Sequence, residues 1–289
     1  MKKILVTGAS GKTGQAILRN LADNADFQVR GMIRSLSKSD ELFQSENLSY
    51  EAGDFASESD LIRCLEGVDS VYHICPNMAP DELEIGMRMI RAAKESEISH
   101  FVFHSVMHPQ IQEMQHHWSK LLVEEQLFKS GLPFTVVQPA AYMQNLLGYW
   151  DSITHRGIYK VPYSAGVKFT NIDLTDLAEA VSIILYDADK FKDGIYELAG
   201  PDRLSSADMM DVVSRVGGIH AKVELEDLGV WEASMRQRNM SDYSVRTLLG
   251  MFDYYNKYGF TGSSAALKWI LGRQPATFEE FIKRIICSA

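Results

Sequence analysis

Hydrophobic and polar positions change rhythm repeatedly over the first 140 residues. Ile4-Leu5-Val6 is a short apolar run that ends in Thr7-Gly8, and behind the next glycines Ala16, Ile17, Leu21 and Ala22 recur at helical spacing. Gln28 to Arg34 reads as a second strand, and Asn47 to Ala52 as a third that ends at Gly53-Asp54. Ser57 followed by Asp60 resembles a capping box, with Leu61, Ile62 and Leu65 as the apolar face behind it. Ser70 to Cys75 is a fourth strand broken by Pro76, and Glu82 to Glu95 is a helix carrying Leu83, Met87, Ile90 and Ala93 on one side. His100 to Val106 is a fifth strand. His117 to Lys129 is a helix stopped by Ser130-Gly131 with Pro133 beyond, and Phe134 to Gln138 is a sixth strand closed by Pro139.

Strand and helix thus alternate, which predicts an α/β fold: right-handed crossovers and a doubly wound, mostly parallel sheet with helices on both faces. The rhythm changes after Tyr149. Short strand-like pieces at Gly157 to Tyr163 and Gly194 to Leu198 mix with helices, and Thr277 and Glu280 cap a last amphipathic helix with Phe278, Phe281, Ile285 and Ile286. Residues 1–150 are expected to form the sheet domain, and 151–289 a smaller, mainly helical lobe interleaved with it. No Gly/Ser/Pro linker separates the two, so a free hinge is not expected.

Composition narrows the field. Of 289 residues, 46% are hydrophobic and 23% charged, ordinary values for a globular protein able to bury a real core. No apolar run approaches the ~20 residues of a membrane span, and Lys2-Lys3 precede too short a stretch for a signal peptide. Cys64, Cys75 and Cys287 are scattered, as expected of unpaired thiols in a cytoplasmic protein. A net charge of -9 argues against direct nucleic-acid binding.

The chemistry begins at Gly8-Ala9-Ser10-Gly11-Lys12-Thr13-Gly14, a GxxGxxG pattern between a strand and a helix. Gly8 permits the tight turn, Gly11 lets backbone approach a pyrophosphate, and Gly14 lets the helix pack close to the sheet. Free N–H groups at the helix start then bind the phosphates. A P-loop needs a glycine five residues before Gly11, where Val6 stands inside the strand. A binder of NAD usually carries a carboxylate about 20 residues on, for the ribose 2′-hydroxyl. Arg34 stands there, suited to a 2′-phosphate, and Lys12 and Lys38 add positive charge; NADP(H) is therefore expected over NAD(H). Asp54 is placed to accept from the adenine amino group.

With these residues assembled, the chain resembles the NmrA-like branch of the short-chain dehydrogenase/reductase superfamily, the atypical extended type. The resemblance rests on Val6 to Gly14, Arg34, Gly53-Asp54, His104-Ser105-Val106, His116 to Lys120 and Gln138 to Asn145, and the segment from Tyr255 to Phe281 also resembles bacterial members. It implies a Rossmann-type fold, NADP(H), and a small C-terminal lobe roofing the cleft. Thr7, Ser10, Thr13, Phe55, Cys75 and Pro139 are further candidate cofactor contacts, and Pro76 and Asn77, following the fourth strand, are expected to flank the cofactor at the sheet's carboxyl edge.

Carbonyl-reducing members use a serine after the fifth strand and a Tyr-x-x-x-Lys on the next helix, whose i, i+4 spacing puts both on one face. Here Ser105 and Lys120 stand where the serine and lysine belong, but the residue four before Lys120 is His116. Three readings stay open. His116 is a replacement proton donor; or Lys120 holds the ribose and water supplies any proton; or the site is silent and senses NADPH. Tyr142 is a candidate substitute hydroxyl. Five of the eight histidines lie between His100 and His117. They do not suggest a metal: His100 and His104 share a strand face ~13 Å apart, and adjacent His116 and His117 point to different helix faces.

The expectation is an NADPH-dependent reductase of a small apolar acceptor such as a quinone. The alternatives are an NADP(H)-sensing regulator acting through a protein partner, and isomerase or lyase chemistry of the extended type. A homodimer is compatible with each.

Overall fold

The computed structural model describes residues 1–287. In chain order the strands are β1 (Lys2–Val6), β2 (Phe27–Ile33), β3 (Leu48–Ala52), β4 (Ser70–His73), β5 (His100–His104), β6 (Phe134–Pro139), β7 (Ala141–Tyr142), β8 (Ile158–Val161), β9 (Lys168–Ile172), β10 (Gly194–Leu198), β11 (Arg203–Ser205) and β12 (Lys222–Leu225). The helices are α1 (Lys12–Ala22), α2 (Glu58–Leu65), α3 (Glu82–Glu95), α4 (Gln115–Ser130), α5 (Trp150–Arg156), α6 (Leu174–Tyr186), α7 (Ala188–Phe191), α8 (Ser206–Gly217), α9 (Leu228–Gln237), α10 (Asp242–Tyr258), α11 (Ala265–Leu271) and α12 (Phe278–Cys287). They form two compact units.

The first unit comprises Met1–Gln110, His117–Pro139 and Thr175–Glu197. Its seven strands lie in the order β10-β6-β5-β4-β1-β2-β3, and every pairing from β6 to β3 is parallel. This is the Rossmann-type, doubly wound sheet that the alternating pattern predicts. The order reverses at β1, which has β2 on one side and β4 on the other. In open α/β sheets ligands bind outside the carboxyl ends of the strands at such a reversal. The strand at Gly194 to Leu198, read from sequence with the second lobe, is an edge of this large sheet.

Two strands stop earlier than their apolar runs suggest. β4 ends at His73 rather than Cys75, and β5 at His104 rather than Val106. The residues beyond stay apolar because they are still covered, Cys75 and Met107 among them. Cys75 and Ser105 therefore stand in loops at the carboxyl edge. Ser57 caps α2 by accepting from the Asp60 N–H at 3.2 Å, but the Asp60 carboxylate accepts from Asp54 N–H instead of closing the box.

On one side of the sheet a core layer joins Leu5, Val71 and Phe103 to Leu61 of α2, Met89 of α3 and Val123 of α4. The two longer helices of this layer meet at Gly86. A Cβ there would come within 2.7 Å of both Val123 methyls, so only glycine lets α3 and α4 approach this closely. Glu82 lies one turn before Gly86 and Lys120 one turn before Val123. The close approach thus aligns a glutamate on one helix with a lysine on the other.

The second unit comprises Ile111–His116, Ala140–Leu174 and the chain from Leu198 onward. Its core packs Met209, Met210 and Val213 of α8 against Phe278, Phe281 and Ile282 of α12. Thr277 and Glu280 form the expected capping box: Thr277 N–H donates to Glu280 Oε2 at 2.8 Å and Glu280 N–H to Thr277 Oγ1 at 3.2 Å. Arg284 of α12 pairs with the buried Asp173 carboxylate, which also accepts from Gln144 Nε2 at 2.8 Å. Phe252 and Tyr255 of α10 pack around Tyr163, as core residues of this unit. Among the described residues no helix is long and apolar enough to cross a membrane.

Replacing Gly86 with Ala should lower the unfolding free energy by about 1–3 kcal/mol through overpacking, although alanine is the better helix former by ~1 kcal/mol. Denaturant titration of G86A, and of G86A combined with Val123→Ala, checks this: the second change should recover part of the loss.

Candidate functional site

At the carboxyl end of β1 the chain makes the turn that the three glycines demand. Gly8 has φ +62°, and a Cβ on it would sit 3.0 Å from the Ile74 carbonyl. A Cβ on Gly14 would come within 2.3 Å of the Gly8 carbonyl, so α1 packs against the turn itself. Gly11 caps α1 in an extended conformation, without a side-chain bond to the first-turn N–H groups and without an acidic residue in that turn. Ser10, Gly11 and Lys12 are exposed, and Thr13 is partly buried. The helix start therefore offers N–H donors and the positive end of a dipole to an anion.

Thr7 ties this turn to the neighbouring strand. Its hydroxyl accepts from Ile74 N–H at 2.9 Å and lies 3.1 Å from the Ile74 carbonyl and 3.0 Å from His73 Nδ1. A hydroxyl has one hydrogen. When it donates to the carbonyl, His73 Nδ1–H donates to Thr7. His73 is fully buried and ringed by Phe55, Phe101 and Phe103. Burial, reinforced by the Lys120 charge, depresses its imidazole to about 3, so it is neutral at physiological pH.

Arg34 and Lys38 are exposed beyond β2, Lys38 within the 3-10 turn Leu36–Glu41. Neither makes an ion pair among the described residues. Asp54, past β3, uses Oδ1 to accept from Ala56 N–H at 2.9 Å, so part of its carboxylate closes a local turn. Phe55 stacks edge-on against His73, and its carbonyl accepts from Arg88 Nε at 2.8 Å. After β4, Cys75 is buried, which pushes its thiol well above the ordinary range. Pro76 and Asn77 lead to Met78, a non-glycine residue at φ +51°. Met78 thus holds a strained backbone conformation just past the carboxyl end of β4.

Ser105 and Lys120 are brought to the end of β5, but each is already engaged. Lys120 Nζ donates to Glu82 Oε1 at 2.5 Å and to the His104 carbonyl at 3.2 Å, and it lies 5.4 Å from the Phe103 ring centre. Glu82 is 1% exposed and Lys120 5%. Ser105 Oγ donates to Glu124 Oε1. Gln138 Nε2 of β6 lies 3.0 Å from each Glu124 oxygen. Burial holds the Glu124 carboxyl above the usual carboxylate range, against the Ser105 and Gln138 hydrogen bonds and the Lys120 charge, all of which favour the ionised form.

Glu82 and Glu124 were not among the candidates named from sequence. Glu124 had a readable signal: it follows Lys120 by four residues, the same step that separates Lys120 from His116. Glu82 had none, since it meets Lys120 across 38 residues.

His116 is also on α4 but belongs to the second unit, as does Tyr142, which ends β7 and pairs with Ile172 of β9. His116 is buried and Tyr142 partly so. Pro139, buried, closes β6 in the first unit, and its carbonyl accepts from Met107 N–H at 2.9 Å. The other histidines of this stretch serve the fold. His100 Nε2 bonds Thr135 Oγ1 at 2.8 Å, His104 Nδ1 lies 2.5 Å from Tyr72 Oη, and His117 Nδ1–H donates to the Met107 carbonyl at 2.9 Å. Among the described residues no three His, Cys, Asp or Glu side chains converge as a metal site would require.

A parallel sheet reversing at a glycine-lined β1–α1 turn, with a lysine and a serine at the end of β5, defines a dinucleotide-binding class of fold. Within it, the chain belongs to the NmrA-like family, whose model matches residues 1–282. It is 27% identical over 282 residues to an NAD(P)H azoreductase of Xenophilus azovorans, covering 97% of this chain and 96% of that one. The NADPH complex of the Escherichia coli quinone oxidoreductase QOR2 superposes with a TM-score of 0.83 at 20% identity, covering 98% of this chain and 99% of the other. NmrA, a negative transcriptional regulator solved with NAD, gives 0.82 at 18% identity, covering 99% and 96%.

The Glu82–Lys120 pair yields a stability prediction. Removing one partner strands a buried charge, at a cost of about 3–5 kcal/mol, whereas an apolar replacement of both costs much less. In urea unfolding, Glu82→Leu and Lys120→Met should each destabilise strongly, and the double variant should be more stable than either.

Proposed function

We propose that this protein binds NADP(H) and uses it to reduce a small apolar acceptor such as a quinone. The observation that carries the reading is the glycine cradle of β1–α1 in the same unit as Ser105 and Lys120. Gly8, Gly11 and Gly14 would cradle the pyrophosphate, with Thr7, Ser10, Lys12 and Thr13 in the same turn. A cap site with no carboxylate or side-chain bond suits that anion. Arg34 and Lys38, exposed and unneutralised, would receive the 2′-phosphate. Asp54 and Phe55 would flank the adenine, and Cys75, Pro76, Asn77 and Pro139 the nicotinamide end. Lys120 would meet the nicotinamide ribose. Two of its three N–H groups already point inward, which leaves one for that contact. The bound cofactor supplies hydride. The similarity to an azoreductase and a quinone oxidoreductase supports a small electron-poor acceptor.

A second reading is a regulator that senses the cofactor through a protein partner. The buried His116 in place of a tyrosine favours it, as does the likeness to NmrA.

Turnover separates the two. Purified protein mixed with NADPH and a panel of quinones and azo dyes should lose nicotinamide absorbance above background. No loss across the panel would sink the reductase reading and leave the regulator. Independently, Arg34→Ala should weaken NADP⁺ more than NAD⁺ by roughly 1–3 kcal/mol in calorimetric titration, the size of a charge-assisted contact. Equal weakening would remove the basis for an NADP preference.

A further inference from the structure

Lys120, proposed to meet the cofactor ribose, and Ser105, beside it at the end of β5, are each backed by a buried glutamate, and the two glutamates differ in kind. Glu82 faces a cation, and that pairing holds charge in place. Glu124 faces a hydroxyl and an amide, both neutral, with burial raising its affinity for a proton. A carboxylate can only accept hydrogen bonds; a carboxylic acid also donates one. The Ser105 hydroxyl has a single hydrogen, so its direction depends on which form Glu124 takes. With Glu124 ionised, Ser105, itself buried, donates to it and has no hydrogen left for any other partner. With Glu124 protonated, the acid O–H donates to Ser105 Oγ, and the serine hydrogen is released toward a ligand at the end of β5.

We propose that Ser105 is the proton donor to the reduced acceptor and that Glu124 is the buried positioning residue that reprotonates it, replacing the tyrosine absent at His116. The proposal rests on the reductase reading above. The balance is simple. The reduced nicotinamide supplies a hydride to the acceptor. The Ser105 O–H bond breaks, and its proton goes to an acceptor oxygen or nitrogen. The Glu124 O–H bond breaks in turn, and that proton restores the serine. Glu124 is left as a carboxylate and regains a proton from water, so one cofactor and one proton reduce one acceptor by two electrons. Gln138, whose amide spans both Glu124 oxygens, steadies the carboxylate after the proton leaves.

The groups facing Glu124 set the direction of its pH response. Lys120 on its own helix favours ionisation, as do Ser105 beyond β5 and Gln138 on β6. The Lys120 charge is in turn offset by Glu82 on α3, beside the neutral His73 of β4. Burial outweighs these. The active form is the acid, so turnover should be highest at low pH and fall as pH rises through the midpoint of Glu124.

Two measurements test this. First, the side-chain carboxyl of Glu124, assigned by loss of its ¹³C signal in Glu124→Gln, is titrated by NMR in protein free of cofactor. It should titrate at higher pH than the exposed glutamates, and Ser105→Ala should move it higher still by deleting a bond to the ionised form. A midpoint among the exposed glutamates, or one indifferent to Ser105→Ala, overturns the proposal. Second, NADPH oxidation is followed against pH. Relative to wild type, Glu124→Gln should lose about 10²-fold in kcat and lose the falling limb, as expected when a general acid is removed. Glu124→Asp should retain the limb at a displaced pH. If wild type turns over and Glu124→Gln keeps both rate and limb, the relay is wrong and the reductase reading stands. If wild type oxidises no NADPH with any acceptor, the reductase reading fails and the relay falls with it.

Discussion

The chain leaving β1 must reverse against its own next helix with almost no room, and the rest of the site follows from that crowding. Gly14 lies so near the Gly8 carbonyl that any side chain there would displace α1 from the turn. Gly8 occupies a left-handed conformation with its α-carbon facing Ile74. Thr7 closes the arrangement from the other side, bonded to both polar groups of Ile74. Because β1 and β4 flank the reversal of strand order, these few contacts fix the mouth of the crevice. The cap of α1 is part of the same constraint: Gly11 stands there and has no side chain to bond the first turn.

A second constraint lies beneath that mouth. The approach of α3 to α4 at Gly86 and Val123 brings a carboxylate and an ammonium together out of water. A buried pair of this kind adds little net stability, but it is costly to break. Its effect is to hold Lys120 in one place, where a flexible four-carbon side chain would otherwise sample many. Ser105 is held in the same way by Glu124, so both groups at the end of β5 are ordered before any ligand arrives. Groups ordered in advance lose less entropy when a ligand binds.

The fold was largely readable from sequence because its signals are local. Periodicity, Gly8 to Gly14 and the helix stop at Gly131 each depend on neighbours in the chain. Strand ends were less so. Cys75 and Val106 continue an apolar run past the strand ends at His73 and His104, and burial outside a strand looks the same in one dimension as burial within it. Among the candidate site residues, Arg34 and Ser105 are named by counting from the glycines and the fifth strand. Which way the Ser105 hydrogen points cannot be read that way, since it depends on Glu124 and on Gln138 from another strand. Glu82 was invisible for a stronger reason: its meaning exists only once two helices have packed.

The division of the chain has a consequence for how the molecule is assembled. The chain passes from one unit to the other after residues 110, 116, 139, 174 and 197. Neither unit is a continuous stretch, so no single cut releases either one intact. The strand β10, at the edge of the large sheet, is supplied only after residues 140–174 have gone into the second unit. On a ribosome, the first unit therefore cannot be completed until about two thirds of the chain has emerged. Its closing contacts, such as Asp193 N–H to the Phe134 carbonyl, join residues far apart in sequence, which slows folding. The order of synthesis thus leaves the β6 side of the sheet as the last edge to be covered.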